Sequence, residues 1–413
     1  MKVDSMRKID YYAGIPLCFL LSFGLRLWRL LRPRQHTAAS KVLLIELSEM
    51  GSAILVDPAM RKLQANGAEL FFLIFAKNAA SLRLLGTVAE DHVFTIREDG
   101  LIPLVTDTLR FLLWARKQRI DSVIDLELFS RFTALLSGLS GARNRVGYYA
   151  FHNEGLYRGE LLTHRVAYNP YLHISKNFIA MVNALLSERD EDLYSRSIIK
   201  DDEIRLAKVE IPSAQQEAMQ QRVQESYPDY VDSQQRIVLI NPNASELLPQ
   251  RRWMPDRYIE VMRRVLAEFD DVLILITGAP AEYAEAEDLR QQVDNPRCIN
   301  FAGKLKLQEL PVLYSIASLM LTNDSGPGHF SSITDLQTLV IFGPETPKLY
   351  GSLGNSTPIY AGLACSPCVS AANHRKTPCH NNVCLQMITV DDVFTQVQAA
   401  LAEQTKVLKT NEE

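Results

Sequence analysis

The chain has 413 residues, of which 47% are apolar and 22% are charged, with 44 basic against 48 acidic side chains. This composition is typical of a globular protein of two or three domains, and it excludes a disordered or fibrous chain. The net charge of −4 argues against a nucleic-acid partner, because a general nucleic-acid binder carries a broad basic face.

Residues 1 to 40 differ in composition from the rest of the chain. Within them, residues 11 to 31 are almost wholly apolar and have basic residues on both sides. The uninterrupted apolar stretch from Tyr11 to Leu25 has 15 residues, fewer than the roughly 20 that a membrane-spanning helix needs. A secretory signal is disfavoured as well, because a second basic cluster follows the apolar stretch.

We therefore expect residues 11 to 31 to form an apolar helix that lies in the membrane interface. Phe19, Phe23 and Trp28 would enter the lipid, while the neighbouring arginines would reach the phosphate head groups. Two alternatives stay open. The helix would pack on the body of the protein or on a second subunit, or the segment would be a true span or signal.

Residues 41 to 205 alternate apolar strand patterns with helical patterns. This rhythm predicts an α/β domain with a parallel sheet covered by helices on both faces. The strand patterns cover residues 41 to 46, 70 to 75, 92 to 96 and 122 to 126, and the clearest helical patterns cover 104 to 118 and 129 to 138.

A second α/β series occupies residues 233 to 389, and a helix and tail follow at 390 to 413. Residues 188 to 232 are polar, and we expect solvated helices there, with a linker at 206 to 232. Two doubly wound domains would face a cleft at the carboxyl ends of their strands, where such sheets bind ligands. The strand patterns of the second series cover residues 236 to 240, 272 to 277, 298 to 301, 319 to 322 and 338 to 342.

The segment from 319 to 347 contains the clearest candidate ligand site. A buried strand pattern ends before the turn Asp324-Ser325-Gly326-Pro327-Gly328, and a short helix is expected from about His329. Glycines allow a ligand close to the backbone, and the free amides of a helix start bind anions. The hydroxyl of Ser325 and the ring of His329 are available to the same phosphate. A turn that only caps a helix would look similar.

The same segment, TNDSGPGHFSSITDLQTLVIFGPETP, resembles the signature of glycosyltransferase family 9, the bacterial lipopolysaccharide heptosyltransferases. Members of that family carry an Asp-Ser/Thr-Gly-x-x-His turn, a helix and a strand ending in Phe/Tyr-Gly-Pro-Thr-x-Pro. Four more stretches resemble family elements in the family's order: residues 41 to 51, 143 to 148, 240 to 255 and 278 to 282.

The resemblance implies a GT-B architecture, in which two Rossmann-like domains face a cleft and the C-terminal domain binds the nucleotide sugar. Arg251 stands where the family has a lysine that pairs with the donor phosphate, and Arg252 is its neighbour. Glu282 would bind the ribose hydroxyls, although an acidic residue near a helix start is favoured anyway. The implied donor-binding residues are Asn243, Ser245, Arg251, Arg252, Glu282, Leu305, Asp324, Ser325, Gly326 and His329.

The resemblance also implies a reaction. Family members transfer a sugar with inversion, heptose from ADP-heptose by default, to a lipopolysaccharide or other lipid-linked acceptor at the inner, cytoplasmic face of the cell membrane. Helix amides and a guanidinium would stabilise the departing diphosphate, so no metal is required for catalysis. The N-terminal domain would bind the acceptor, with Gly51, Ser52, Arg143 and Arg145 on that side.

The sequence departs from the family at the general base. The family's first loop has an aspartate after its glycine, whereas this chain has Ser52 after Gly51, and serine is no base at neutral pH. Glu127 is one candidate, because it ends a strand pattern and would share a face with Asp125. Glu49 is another. Alternatively, the chain is a non-catalytic sugar-nucleotide or glycolipid binder; a GT-B epimerase is the least favoured reading.

Four cysteines lie between residues 365 and 384. Their spacing suits a structural zinc site, and many members of the resembled family carry a similar Cys-x-Pro-Cys insertion. Two disulfides or free thiols are the alternatives. The predicted ligands are Cys365, Cys368, Cys379 and Cys384.

Overall fold

The computed structural model describes residues 3–31, 38–48, 50–128, 130–149, 157–187, 197–244, 248–370 and 376–410. The chain divides into two compact units that meet between Arg205 and Leu206. Each unit contains a six-stranded, wholly parallel sheet. The prediction of two Rossmann-like α/β domains is confirmed.

The first sheet has the strand order β3-β2-β1-β4-β5-β6. Its central strands are continuous apolar runs because helices cover both faces of a parallel sheet. The sequence patterns predicted the first four strands, whereas the last two contain polar residues and were not predicted. The strands are β1 (Lys41–Ile45), β2 (Glu69–Phe75), β3 (Val93–Ile96), β4 (Ser122–Asp125), β5 (Asn144–Tyr149) and β6 (His164–Ala167).

Seven α-helices of the first unit are described, and the two N-terminal ones pack on α6. Asp10 of α1 accepts hydrogen bonds from the backbone N–H groups of Arg131 and Phe132 at the start of α6. In the described part of the chain, every helix is too short or too polar to cross a membrane. The helices are α1 (Val3–Tyr12), α2 (Gly14–Leu31), α3 (Met50–Leu55), α4 (Asp57–Ala65), α5 (Leu101–Gln118), α6 (Arg131–Leu139) and α7 (Ile174–Leu186).

The second sheet repeats the topology of the first, in the order β12-β11-β10-β7-β8-β9. In both sheets the first and fourth strands of the unit are neighbours, and this pair is where the strand order reverses. The strands are β7 (Arg236–Asn241), β8 (Val272–Ile276), β9 (Cys298–Asn300), β10 (Leu319–Asn323), β11 (Gln337–Phe342) and β12 (Ser356–Tyr360).

Residues 206 to 232 pack on the second unit. The Val209 N–H donates to the carbonyl of Ile333, and Arg222 of α8 pairs with Glu309 before α11. The helices of this unit are α8 (Ser213–Ser226), α9 (Pro255–Glu268), α10 (Tyr283–Val293), α11 (Leu310–Ile316), α12 (Gly326–Ser331), α13 (Pro347–Tyr350), α14 (Val383–Gln386) and α15 (Val390–Thr410).

Candidate functional site

The carboxyl edge of the second sheet carries a buried cluster of three charged side chains. Asp324 follows β10, Glu345 follows β11, and Arg251 comes from the loop after β7. Because β7, β10 and β11 are neighbours in a parallel sheet, their following loops meet at one edge. The topology therefore brings together residues that are 94 positions apart in the chain.

Arg251 lies between the two carboxylates. Its Nε is 3.3 Å from Oδ2 of Asp324, and its Nη2 donates to Oε2 of Glu345. Glu345 is 1% exposed and Asp324 is 2% exposed, while the Arg251 side chain retains 13%. Two buried carboxylate neighbours hold the planar guanidinium in one orientation.

Asn323, the last residue of β10, joins this strand to the loop that carries Arg251. Its Oδ1 accepts hydrogen bonds from the Trp253 N–H at 3.1 Å and from the Tyr258 hydroxyl at 3.0 Å. Its Nδ2 donates to the carbonyl of Pro242 at 2.7 Å. Burial raises the pKa of Tyr258, so the phenol stays protonated and remains a donor. These bonds fix the loop and, with it, the position of Arg251.

The turn after Asn323 leads directly into α12, which begins at Gly326, three residues earlier than predicted. The Ser325 hydroxyl donates back to the carbonyl of Asn323 at 3.1 Å. The Asp324 carboxylate lies beside Arg251, and the N-cap of α12 is Ser325, which makes no side-chain cap hydrogen bond. His329 is buried, and its Nδ1 is 3.5 Å from the hydroxyl of Ser352.

The side chains of Asn243 and Glu282 both lie close to Gly278, which follows β8. A Cβ added at Gly278 would lie 2.9 Å from Oε2 of Glu282 and 3.0 Å from Nδ2 of Asn243, so a larger residue there would displace these two side-chain ends. The Glu282 carboxylate also accepts the Ala279 N–H at 2.6 Å, which closes the short 3₁₀ turn Pro280–Glu282. Leu305 is half-buried in the loop after β9.

The two neighbouring arginines point in different directions. Arg252 pairs with Glu285 of α10 at 3.3 Å and donates to the carbonyl of Ala244. Of these two side chains, Arg251 contacts Asp324 and Arg252 does not, which agrees with the position of Arg251 at the family's lysine. Ser245, another predicted donor residue, lies outside the described residues.

At the carboxyl edge of the first sheet, the Glu127 side chain is hydrogen-bonded to the loop after β1. Its Oε1 accepts the Leu47 N–H, the Ser48 N–H and the Ser48 hydroxyl, each at 2.8 Å. The strand β4 ends at Asp125, two residues before Glu127. The prediction that Asp125 and Glu127 share a face requires the strand to continue to Glu127. An acceptor hydroxyl would have to compete with three donors for this oxygen.

The predicted pairing of the Asp125 and Glu127 carboxylates is wrong. Asp125 is fully buried, where it forms an ion pair with Arg158 and accepts the Thr133 hydroxyl at 3.0 Å. Burial raises the pKa of Asp125, against the opposing effect of the Arg158 guanidinium. Its carboxylate contacts the backbone N–H of Glu127 at 3.3 Å, not the Glu127 side chain.

The other predicted acceptor-side residues are not gathered at this edge. Arg143 precedes β5 and Arg145 lies at its amino end, which is the opposite edge of a parallel sheet. The buried Arg145 guanidinium donates to the carbonyls of Leu161 and Ala142, which joins β5 to the segments before β6 and before β5 itself. Gly51 lies in the first turn of α3. Glu49 and the side chain of Ser52 lie outside what the structure describes.

The cysteine-rich segment gives no support for a zinc site. Within the described residues, no group of three or more His, Cys, Asp or Glu side chains is arranged to hold a metal ion. All four cysteines are free thiols, and burial raises the pKa of Cys384. Neither the zinc site nor the disulfide alternative is therefore confirmed.

Comparison with known proteins assigns the chain to a family. The family model for glycosyltransferase family 9 (heptosyltransferase) matches residues 114–378, which include Asp324, Arg251 and Glu345. This chain belongs to glycosyltransferase family 9. The match extends over most of the second unit and over the last three strands of the first.

Curated relatives of this family 9 chain are distant. The lipooligosaccharide heptosyltransferase 2 of Campylobacter jejuni subsp. jejuni serotype O:2 is 26% identical over 170 residues, which are 40% of this chain and 51% of that protein. The chain thus spans about half the length of the curated relative it matches.

Solved structures of similar fold cover more of the chain. Escherichia coli ADP-heptose lipopolysaccharide heptosyltransferase II has a TM-score of 0.67 at 17% identity, covering 88% of this chain and 99% of that one. A glycosyltransferase family 9 structure from Veillonella parvula DSM 2008 has a TM-score of 0.68 at 18% identity, covering 90% and 99%. At these identities, the likeness establishes the fold.

Two residues of this site were not predicted. Glu345 stands at the threonine position of the family's Phe-Gly-Pro-Thr loop. This departure from the family pattern could have indicated a specific role for Glu345. For Asn323 the sequence offers a weaker indication, because it is a polar residue at the end of an apolar strand. Its role depends on Trp253 and Tyr258, which reach it only through the fold.

Proposed function

We propose that this chain is an inverting glycosyltransferase that moves a sugar from a nucleoside-diphosphate donor to a lipid-linked acceptor. The observation that carries the proposal is the half-buried Arg251, held beside Asp324 at the start of α12, in a member of glycosyltransferase family 9. ADP-heptose is the proposed donor, and lipopolysaccharide or another lipid-linked glycan is the proposed acceptor.

The chemistry follows from the charges that develop in the transition state. As the bond between sugar C1 and the phosphate oxygen breaks, the sugar becomes positive and the diphosphate gains negative charge. The guanidinium of Arg251 and the first amides of α12 supply fixed positive potential to the diphosphate, so the step needs no metal. Asp324 and Glu345 keep Arg251 oriented before the donor arrives, which avoids reorganisation during the reaction.

Inversion requires a base that removes the acceptor hydroxyl proton while C1 is attacked from the opposite face. The strand pattern in the sequence favours Glu127 over Glu49. We now propose Glu49 instead, because Glu127 Oε1 already accepts three hydrogen bonds from Leu47 and Ser48. In this proposal Glu127 holds the loop, and Glu49, which directly follows Ser48 in the chain, supplies the base.

A lipid-linked acceptor places the enzyme at a membrane surface. We propose that residues 11 to 31 hold the protein on the inner face of the cell membrane. The large side chains Phe19 and Phe23 of α2 are exposed, which supports contact with lipid. The Trp28 side chain lies outside what the structure describes.

A thermal-shift panel of ADP-, GDP-, UDP- and CMP-linked sugars tests the donor proposal, because selective binding raises apparent stability. We expect the ADP-linked sugar to give the largest shift. Release of nucleoside diphosphate, measured with and without acceptor, then tests transfer. A shift with no acceptor-dependent release would instead support the alternative, a non-catalytic sugar-nucleotide binder.

A structural zinc site remains a separate proposal for the four cysteines. Metal analysis of protein purified without chelator would measure it, and less than about 0.2 zinc per chain would contradict it. The transfer step described above uses none of the four cysteines, Cys365, Cys368, Cys379 and Cys384. A zinc ion bound by them would therefore stabilise the fold and take no part in the reaction.

A further inference from the structure

The helix α2 exposes a stripe of large apolar side chains. Its inward side is filled by the buried residues Gly14, Cys18 and Ser22 and by the partly buried Leu21 and Leu25. The opposite side carries large apolar residues that are 50% to 63% exposed: Phe19, Leu20, Phe23 and Leu27. A surface helix of a globular protein normally carries polar residues on its outward side.

The helix α5 has a second exposed apolar stripe. Ile102, Val105, Leu109 and Leu113 are spaced by three or four residues, so they share one face, and they are 50% to 78% exposed. The inward face is separately filled by Phe111 and Ala115. The helix's acidic residue, Asp107, is buried against Arg97 and does not interrupt the stripe.

The two helices that carry these stripes both contact α6. Cys18 of α2 contacts the carbonyl of Arg131 at the start of α6, and Leu21 packs on Gly138 near its end. The two helices therefore run in the same direction. Arg116 of α5 donates to the carbonyl of Leu139 at 3.1 Å, so α5 ends beside the end of α6.

Basic residues collect where these helices end. Arg116, Lys117 and Arg119 are exposed at the end of α5. Arg26 in the last third of α2 is exposed as well, where it pairs with Glu160. In a chain with a net charge of −4, this local basic excess beside two apolar stripes complements a surface that is both apolar and anionic.

We propose that the exposed apolar stripes of α2 and α5 together form one docking surface for an anionic lipid leaflet. The inference rests on the membrane association in the proposed function and extends it to residues 102 to 119. The apolar stripes enter the head-group boundary, and the basic ends contact lipid phosphates. Contact through two helices fixes the orientation of the first unit on the leaflet, which a single helix does not.

Co-sedimentation with vesicles tests the surface. The full chain is mixed with vesicles of phosphatidylcholine and phosphatidylglycerol at about 3:1, or of phosphatidylcholine alone. Three variants are compared with the wild type: Ile102→Ser/Leu109→Ser/Leu113→Ser in α5, Phe19→Ser/Phe23→Ser in α2, and Ile198→Ser as a matched control. Ile198 is 90% exposed and lies in neither helix.

We expect each of the two helix variants to weaken partitioning into anionic vesicles by about 10-fold or more, because each removes apolar side chains from the lipid. The control should bind like the wild type, and phosphatidylcholine alone should bind the wild type more weakly. A thermal melt of each variant checks folding, and serine at these exposed positions should leave the melting temperature nearly unchanged.

The outcomes separate the two proposals. Wild-type binding by the α5 variant, with loss in the α2 variant, would overturn the role of α5 and leave membrane association through residues 11 to 31 standing. If the wild-type chain does not bind anionic vesicles, both the α5 proposal and membrane association through residues 11 to 31 are overturned. If the lipid-free wild type is a dimer and the α5 variant is a monomer that still binds vesicles, the stripe is a self-association surface and the inference is wrong.

Discussion

The carboxyl edges of the two sheets use buried charge in different ways. In the second unit, Arg251 lies between Asp324 and Glu345 beside a helix start. In the first unit, Asp125 is neutralised by Arg158, and Glu127 is hydrogen-bonded to the loop after β1. The topology is the same, so strand order alone does not decide how the charged side chains at each edge are paired.

The first prediction concerns the base and has the largest expected effect. Glu49→Gln should lower the transfer rate by about 10²- to 10⁴-fold, the usual contribution of a general base. Glu127→Gln should cost about 10-fold or less, because a glutamine oxygen still accepts the Leu47 and Ser48 N–H groups. Steady-state kinetics with saturating donor measures both. Near-native turnover of Glu49→Gln would remove it from candidacy.

The second prediction concerns Arg251. Arg251→Met should lower kcat/KM by about 10²- to 10³-fold, because it removes a fixed positive group from the leaving diphosphate. Arg264→Met is the matched control, since Arg264 makes comparable ion pairs with Glu260 and Asp391 at the surface. An Arg251 variant with unchanged kinetics would show that the charged cluster of the second unit is structural, like that of the first.

The third prediction measures stability in the first unit. Asp125→Ala should lower the free energy of unfolding by about 3–5 kcal/mol, because it leaves the buried Arg158 guanidinium without its carboxylate. Asp335→Ala, which removes an exposed partner of Lys208, should change it by less than about 1 kcal/mol. Urea unfolding measures both. Equal effects would mean that the Asp125 pair adds no more than a surface pair.

The fourth prediction has the smallest effect and concerns Glu345. Glu345→Thr should raise the donor KM by about 10-fold, because Arg251 loses one of the two groups that orient it. Arg251→Lys should do the same, and the double variant Arg251→Lys/Glu345→Thr should lose less than the product of the two. Fully multiplicative losses would show that the two residues act independently.

Much of this fold could be predicted from the sequence because buried parallel strands are continuous apolar runs. The patterns at β1, β2, β7 and β8 are of this kind. The strands that were not predicted contain polar residues or lie at a sheet edge, as with β6 and β12, where one side has no neighbouring strand. Most residues of β6 and β12 are only partly buried or exposed, so their hydrophobic pattern is weak, whereas the edge strands β3 and β9 were predicted.

The sequence by itself determined the family and the turn at Asp324 that leads into α12, because the family's signature, the turn and the helix start depend on local residue types. Only the tertiary structure decided that Arg251 and not Arg252 faces that turn, and that Glu127 holds a loop. The tertiary structure also added Asn323 and Glu345 to the residues of the candidate site. The physical reason is that the partners of these side chains are distant in the chain, and only the packed sheet brings them within hydrogen-bond distance.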